Sequence, residues 1–258
     1  MKLICLNIWG GKIYQPLMNF IKKNSKDTDI FCFQEVFDTK SNIIESSGFK
    51  LDIYKNISEI LPFHQGFFYP SLENYIAGSF QPEFVDFDVS WGLAIFIKNN
   101  FKIIQEGEFF VYRNKGSFNP RDFNSLPRNV QYVVFKKDYK TYTVCNMHGI
   151  WLKEGKNDSP SRIFQSKQVK DFLDKQKGEK ILAGDFNLNP NTASIKILEK
   201  SMRNLIKEYN ILTTRNALFP REEKFADYIF VSEDVKIIDF QVPKINISDH
   251  LPMILEFS

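Results

Sequence analysis

The sequence predicts an α/β fold of two packed sheets flanked by helices, and three observations carry that prediction. Short apolar, β-rich runs recur along the whole chain, helical patterns alternate with some of them, and no internal repeat, low-complexity tract or Gly/Ser linker divides it. With 258 residues, 43% hydrophobic and 25% charged, the chain can bury a full core and is read as one domain over 1–258.

The predicted strands are residues 2–7, 30–34, 93–97, 132–135, 141–147, 180–184, 228–231 and 253–257, each rich in β-branched, aromatic or other apolar side chains. A helix is expected over 16–23, after the first strand. Another is expected over 160–175, where Ser159 offers an N-cap and Pro160 takes the first helical position. The pattern over 191–200 reads as a third helix. Between His64 and Trp91, Phe67, Phe68, Tyr69, Tyr75, Phe80, Phe84 and Phe87 lie among Pro and Gly with weak periodicity, which favours core and loop packing over a substrate-facing aromatic wall. Residues 113–128 form a Gly/Pro/Asn-rich loop with Lys115 and Arg121, open to either solvation or phosphate contact.

A net charge of +3 is a mild basic excess that permits a phosphate substrate without demanding one. Cys5, Cys32 and Cys145 are few, far apart in apolar runs and without CxxC spacing, so buried reduced thiols are expected rather than zinc or redox work. The chain reaches its first polar tip by Asn7, which is read as leaving no room for a signal peptide, and no apolar run approaches membrane-spanning length. The cytoplasm is the expected address, and a monomer the expected state.

Polar clusters sit at the ends of several apolar runs, where layered sheet proteins gather their active sites. Glu35, in Phe31-Cys32-Phe33-Gln34-Glu35-Val36, is taken as the last polar residue of a buried strand. There an ionised carboxylate costs several kcal/mol unless a partner or a hard cation such as Mg²⁺ accompanies it. Asp185 and Asn187, in Gly184-Asp185-Phe186-Asn187, would point the same way on an extended backbone, a carboxylate to take a proton from water beside an amide to orient it. An Asx-type turn is the competing reading of the same residues. Of three histidines, His148 and His250 stand at strand ends within polar clusters, where an acid, a base or an oxyanion stabiliser belongs, and Asp227 is placed to orient His250.

In order, Asn7, Gln34-Glu35, His148, Gly184-Asp185-Phe186-Asn187, Asp227-Tyr228 and Ser248-Asp249-His250 resemble the motif series of the endonuclease/exonuclease/phosphatase superfamily, over essentially the whole chain. The resemblance implies a DNase I-like, four-layer α/β sandwich of two mainly antiparallel sheets, with a site at one rim and a divalent metal for phosphoester hydrolysis. Mg²⁺ is the implied metal and Mn²⁺ its substitute. Carried onto this chain, Glu35 would be the principal metal ligand, with Asn7 and Asp249 in direct or supporting metal roles. Asp185 would activate or align the attacking water, and Asn187 would hold the water and a phosphoryl oxygen. His250, paired with Asp227, and His148 would stabilise phosphoryl charge or protonate the leaving group, and Arg128 is assigned to substrate binding. Whether Asp185 or His250 is the base, and whether one or two metals act, stays open.

The expected activity is hydrolysis of a phosphodiester or phosphomonoester, nucleic acid included. Glu35-Val36-Phe37 departs from the Thr-Lys that follows this glutamate in abasic-site endonucleases. Asn7-Ile8-Trp9-Gly10 and Glu35-Val36-Phe37-Asp38 look similar to neutral sphingomyelinases, so a lipid or small phosphoester is an alternative substrate. The alternative of another class is a non-catalytic binding protein on the same fold.

Overall fold

Period-two alternation sorts the first strands between two apolar clusters. In β1 (Lys2–Asn7), Leu3 and Cys5 face one cluster while Ile4 and Leu6 face the other, and β2 (Ile30–Asp38) repeats this with Ile30 and Cys32 against Phe31 and Phe33. Strands buried on both faces must lie inside a layered structure. The structure, a computed structural model, describes residues 1–77 and 82–258.

Apart from two small two-residue pairs, Glu45–Ser46 with Phe49–Lys50 and Tyr75–Ile76 with Glu83–Phe84, the remaining strands are β3 (His64–Glu73), β4 (Ser90–Lys98), β5 (Lys102–Tyr112), β6 (Arg128–Lys137), β7 (Lys140–His148), β8 (Glu179–Asp185), β9 (Arg203–Asn204), β10 (Asp227–Val231), β11 (Ile237–Gln241) and β12 (Met253–Phe257). Together the described residues build two six-stranded sheets, ordered β11-β12-β1-β2-β4-β3 and β9-β10-β8-β7-β6-β5. Pairing is antiparallel except for one parallel pair in each sheet, β1/β2 and β7/β8.

Helices α1 (Tyr14–Asn24) and α2 (Ile53–Ile60) cover the outer face of the first sheet through Leu17, Ile21, Ile53 and Ile57. On the second, α3 (Pro160–Lys175), α4 (Ala193–Leu198) and α5 (Leu205–Glu208) contribute Val169, Leu173, Ile195 and Leu205. The result is the predicted four-layer sandwich. Ser159 caps α3 by accepting from the Arg162 N–H, with Pro160 in the first turn, as the sequence suggested.

Between the sheets the packing is not wholly apolar. Gln34 donates to Asn146 Oδ1 at 2.6 Å, and Asn146 donates to the Phe33 and Ala94 carbonyls at 2.9 and 3.2 Å, all fully buried. These bonds tie the two sheets together directly beneath the rim where the polar tips emerge. Cys5, Cys32 and Cys145 are free, buried thiols.

Several sequence expectations need correction. The strand expected to stop at Gln34 runs on to Asp38, and β3, β5, β11 and α2 were not anticipated. Arg128 does not close a solvated loop: it is the first residue of β6 and only 4% exposed. Of the aromatic stretch, Phe67, Phe68, Tyr75 and Phe87 pack against the apolar clusters, whereas Phe80 lies outside the described residues. Among the described residues, no helix is long and apolar enough to cross a membrane.

Candidate active site

The two parallel strand pairs end at the same rim. Asn7 is level with Gln34 where β1 and its pairing with β2 finish, His148 is level with Asp185 where β7 and β8 finish, and Asp185 is also level with Asp227 at the start of β10. Two backbone irregularities aim the carboxylates. In β2 the register slips between Phe33 and Val36, with Glu35 at φ +56°, a bulge that turns its side chain towards Asn7. In β8, Gly184 lies at φ +149°, and a Cβ there would fall 2.0 Å from the Met147 carbonyl oxygen, so only glycine brings Asp185 to this position.

Asn7 is shared between the carboxylates. Its Nδ2 donates to Glu35 Oε1 at 3.0 Å and to Asp185 Oδ2 at 3.1 Å, while its Oδ1 accepts from the Trp9 N–H at 3.0 Å. In this arrangement Asn7 positions both acids through its Nδ2, while its Oδ1 has one of its two lone pairs engaged. Asp185 Oδ1 accepts from the Asn187 N–H at 2.9 Å, and Asn187 sits at φ +53°. That is the Asx turn, not the extended pair, yet both side chains line the same cavity.

Across the rim, His250 Nδ1 donates to Asp227 at 2.8 Å from Oδ1 and 2.9 Å from Oδ2, which leaves Nε2 3.5 Å from Asp185 Oδ2. His148 Nε2 stands 3.7 Å from Asp185 Oδ2 and 3.9 Å from Glu35 Oε1, its ring against Trp91. Asp249 is held by Arg215, which donates from Nη1 at 2.6 Å and also approaches Asp185 at 4.0 Å. Arg128 lays its guanidinium 5.5 Å from the Trp91 ring, with Nη1 buried and unpartnered.

These neighbours push the two acids apart. Burial alone would raise the Asp185 carboxyl, but His250, Arg215 and Lys156 hold it well below the usual carboxylate range. Burial, reinforced by Asp249, raises Glu35, with the Asn7 hydrogen bond and His250 only partly offsetting it. For the histidines, burial and Arg215 lower His250, yet Asp227, Asp249 and Asp185 outweigh them and the net shift is upward. His148 is pushed well down by burial and by Arg128. Arg128 itself is drawn down by burial to about 10, which leaves it charged at neutral pH.

The groups enclose a cavity of about 320 Å³, lined by Glu35, Arg128, His148, Asp185, Asn187, Arg215, Asp249 and His250, with Trp9, Trp91, Phe123, Trp151 and Phe219 among its apolar walls. Asp227 stands behind His250 rather than on the surface. The sequence reading missed Arg215 and Lys156, both buried cations that act on Asp185. It missed the aromatic walls as well. Lone basic residues in unpatterned segments give no signal, and Arg215 is brought here by a bridge to His250 that only folding makes.

A divalent cation suits these residues. Glu35 Oε2 is buried and makes no hydrogen bond, and its raised carboxyl shows that the ionised form lacks compensation. An oxygen-rich set with Asp249 nearby is the donor chemistry of a hard cation. Asp185, Asp227 and His250 also present ligand-type atoms within 4.8 Å of one another. There, however, both Asp227 oxygens already accept from His250, so the trio reads as a hydrogen-bonded relay.

The sequence profile of the Endonuclease/Exonuclease/phosphatase family matches residues 4–250. Solved structures share the fold. The mannosyl-6-phosphatase of Bacteroides thetaiotaomicron VPI-5482 superposes with a TM-score of 0.73 at 19% identity, covering 100% of this chain and 99% of its own. A humanized TDP2 from D. rerio gives 0.70 at 12% identity, covering 100% and 98%. The human Nocturnin catalytic domain, with a bound sulfate, gives 0.64 at 19% identity, covering 100% and 93%. No curated protein matches the chain in sequence.

Proposed function

The chain belongs to the Endonuclease/Exonuclease/phosphatase family, and from that premise we propose that it is a metal-dependent phosphoester hydrolase. In it, water attacks phosphorus within the cavity between the two sheet rims. The observation that carries the reading is the pair of carboxylates on one amide, Glu35 raised and uncompensated, Asp185 lowered and surrounded by cations. Environments that drive two acids apart assign them different work.

Glu35 would hold the cation, Mg²⁺ or Mn²⁺, with Asp249 and Asn7 beside it, and the bound cation would neutralise charge developing on the leaving oxygen. Asp185, ionised at neutral pH, aligns the attacking water and accepts its proton, with the Asn187 amide on the same cavity wall to hold that water. His250 donates from Nε2 to a phosphoryl oxygen while Asp227 fixes its ring through Nδ1. His148, kept neutral by burial, supplies a further polar contact, and the unpartnered Nη1 of Arg128 binds a non-bridging oxygen. Phosphodiesters, nucleic acid included, and phosphomonoesters both fall within this chemistry.

The test is hydrolysis of bis-p-nitrophenyl phosphate, p-nitrophenyl phosphate and a short single-stranded DNA with Mg²⁺, Mn²⁺ or EDTA. Metal-dependent turnover is expected, falling roughly 10²–10⁴-fold in Asp185→Asn and His250→Ala proteins that keep the wild-type circular dichroism spectrum. Undiminished turnover in both variants would overturn the assignment.

A further inference from the structure

The cavity is more aromatic than phosphate chemistry needs. All three tryptophans of the chain line it, two of them half-buried, Trp9 just after β1 and Trp151 just after β7. Trp151 is braced edge-on by Phe123 at 5.0 Å between ring centroids, and Lys12 Nζ lies 4.7 Å from the Trp9 ring.

Trp9 is held in a conformation that bulky residues avoid, at φ +50°, followed by Gly10 at +56° and Gly11 at +72°. The turn is pressed onto the core: a Cβ on Gly10 would lie 2.5 Å from Phe49 and one on Gly11 2.3 Å from Ile53. The backbone therefore cannot relax inward, and it is tied down by the Trp9 backbone N–H donating to Asn7 Oδ1 at 3.0 Å, with the Trp9 side chain lining the cavity. Strain maintained beside an acid-bearing cavity points to a ligand contact. A volume of about 320 Å³ stands at the lower end of the range of small-molecule sites, about 300–1,000 Å³.

We propose that Trp9 and Trp151 form an aromatic clamp that selects compact phosphoesters whose organic group presents a flat, apolar face, such as a nucleoside or a pyranose ring. The phosphate points to Glu35 and Arg128 and the flat group lies between the indoles. This rests on the phosphoester reading above.

The experiment compares kcat/KM for adenosine monophosphate, glucose 6-phosphate and glycerol 3-phosphate in the wild type and in Trp9→Ala, Trp9→Phe, Trp151→Ala and Trp151→Phe. At least one flat-faced ester is expected to exceed glycerol 3-phosphate by about tenfold or more, the scale of one stacking contact. Each alanine variant should shrink that ratio several-fold, and each phenylalanine variant should retain most of it. Preference for the nucleotide or for the sugar phosphate identifies the face recognised. Equal turnover of all three esters, or ratios unmoved by the alanine variants, overturns the clamp and leaves the hydrolase reading standing.

If no phosphoester is turned over, the hydrolase reading fails, and tryptophan fluorescence titrations with the same three compounds decide the clamp separately. Saturable quenching by a flat-faced compound but not by glycerol 3-phosphate upholds it. Equal or absent quenching overturns it.

Discussion

Asp185 and Glu35 share the Asn7 amide yet differ in what surrounds them, and that difference makes the residue-scale account testable. The three histidines are well separated in behaviour. His250 is raised by its carboxylate partners against burial, whereas burial lowers both His148 and His64. In metal-free protein, an NMR titration is expected to show one imidazole above the ordinary value of about 6.5 and two below it. Asp227→Asn should pull the highest one down, and three coincident curves near 6.5 would contradict the electrostatics described. The linkage follows in sign. As pH falls below about 6.5 the unfolded chain takes up protons at His148 and His64 that the fold resists, so these two cost stability in acid. His250 does the reverse: its contribution is present below about 6.5 and is lost as pH rises through its higher folded value. The polar-tip residues Asn7, Glu35, His148, Asp185, Asn187, Asp249 and His250 were legible in sequence because each ends or interrupts an apolar run. Arg215 and Lys156 were not, since a single cation outside any pattern announces nothing until folding lays it against Asp185.

At the scale of elements, local chemistry decides how the side chains are aimed. A β-bulge turns Glu35 towards Asn7, and an Asx turn after β8 places Asn187 beside Asp185. Behind them, the loop that carries Trp151 and Lys156 is fastened to α3 by Arg162. That residue is 1% exposed, and its guanidinium donates to the Ile150, Gly155 and Asn157 carbonyls at 2.6–3.1 Å. Arg162→Met removes these donors and leaves the carbonyls unsatisfied. We expect a loss of about 3 kcal/mol, a fall in Tm on the order of 10 °C, measured by thermal denaturation. A change within error would mean the loop is held by other contacts. Helix α3 was legible to the residue because Ser159 and Pro160 give complementary start signals. The edge strand β3 was hidden by Gly66 and by Pro70, which an edge tolerates and a central strand does not, and the half-buried edge strand β5 by its polar residues. The short helix α2 follows Asp52, whose side chain stands at the N-cap position but makes no cap bond.

Across the whole molecule, the two sheets are built to one plan, each with a single parallel pair whose polar ends meet at the shared rim. The Gln34–Asn146 bond and the inter-sheet apolar cluster fix the distance between those ends, so the site's geometry is a property of the sandwich rather than of any one loop. The layered fold was legible because doubly buried strands read as continuous apolar runs. The closure of the aromatic walls was not, since Trp9, Phe123, Trp151 and Phe219 come from four distant segments. The central claim is that this rim holds a hydrolytic metal on Glu35. Its most direct test is anomalous diffraction from crystals grown with Mn²⁺, for the wild type and for Glu35→Gln. The account predicts a peak beside Glu35 Oε2 that is lost in the variant; a peak seated between Asp227 and His250, or one unchanged by the substitution, would contradict it.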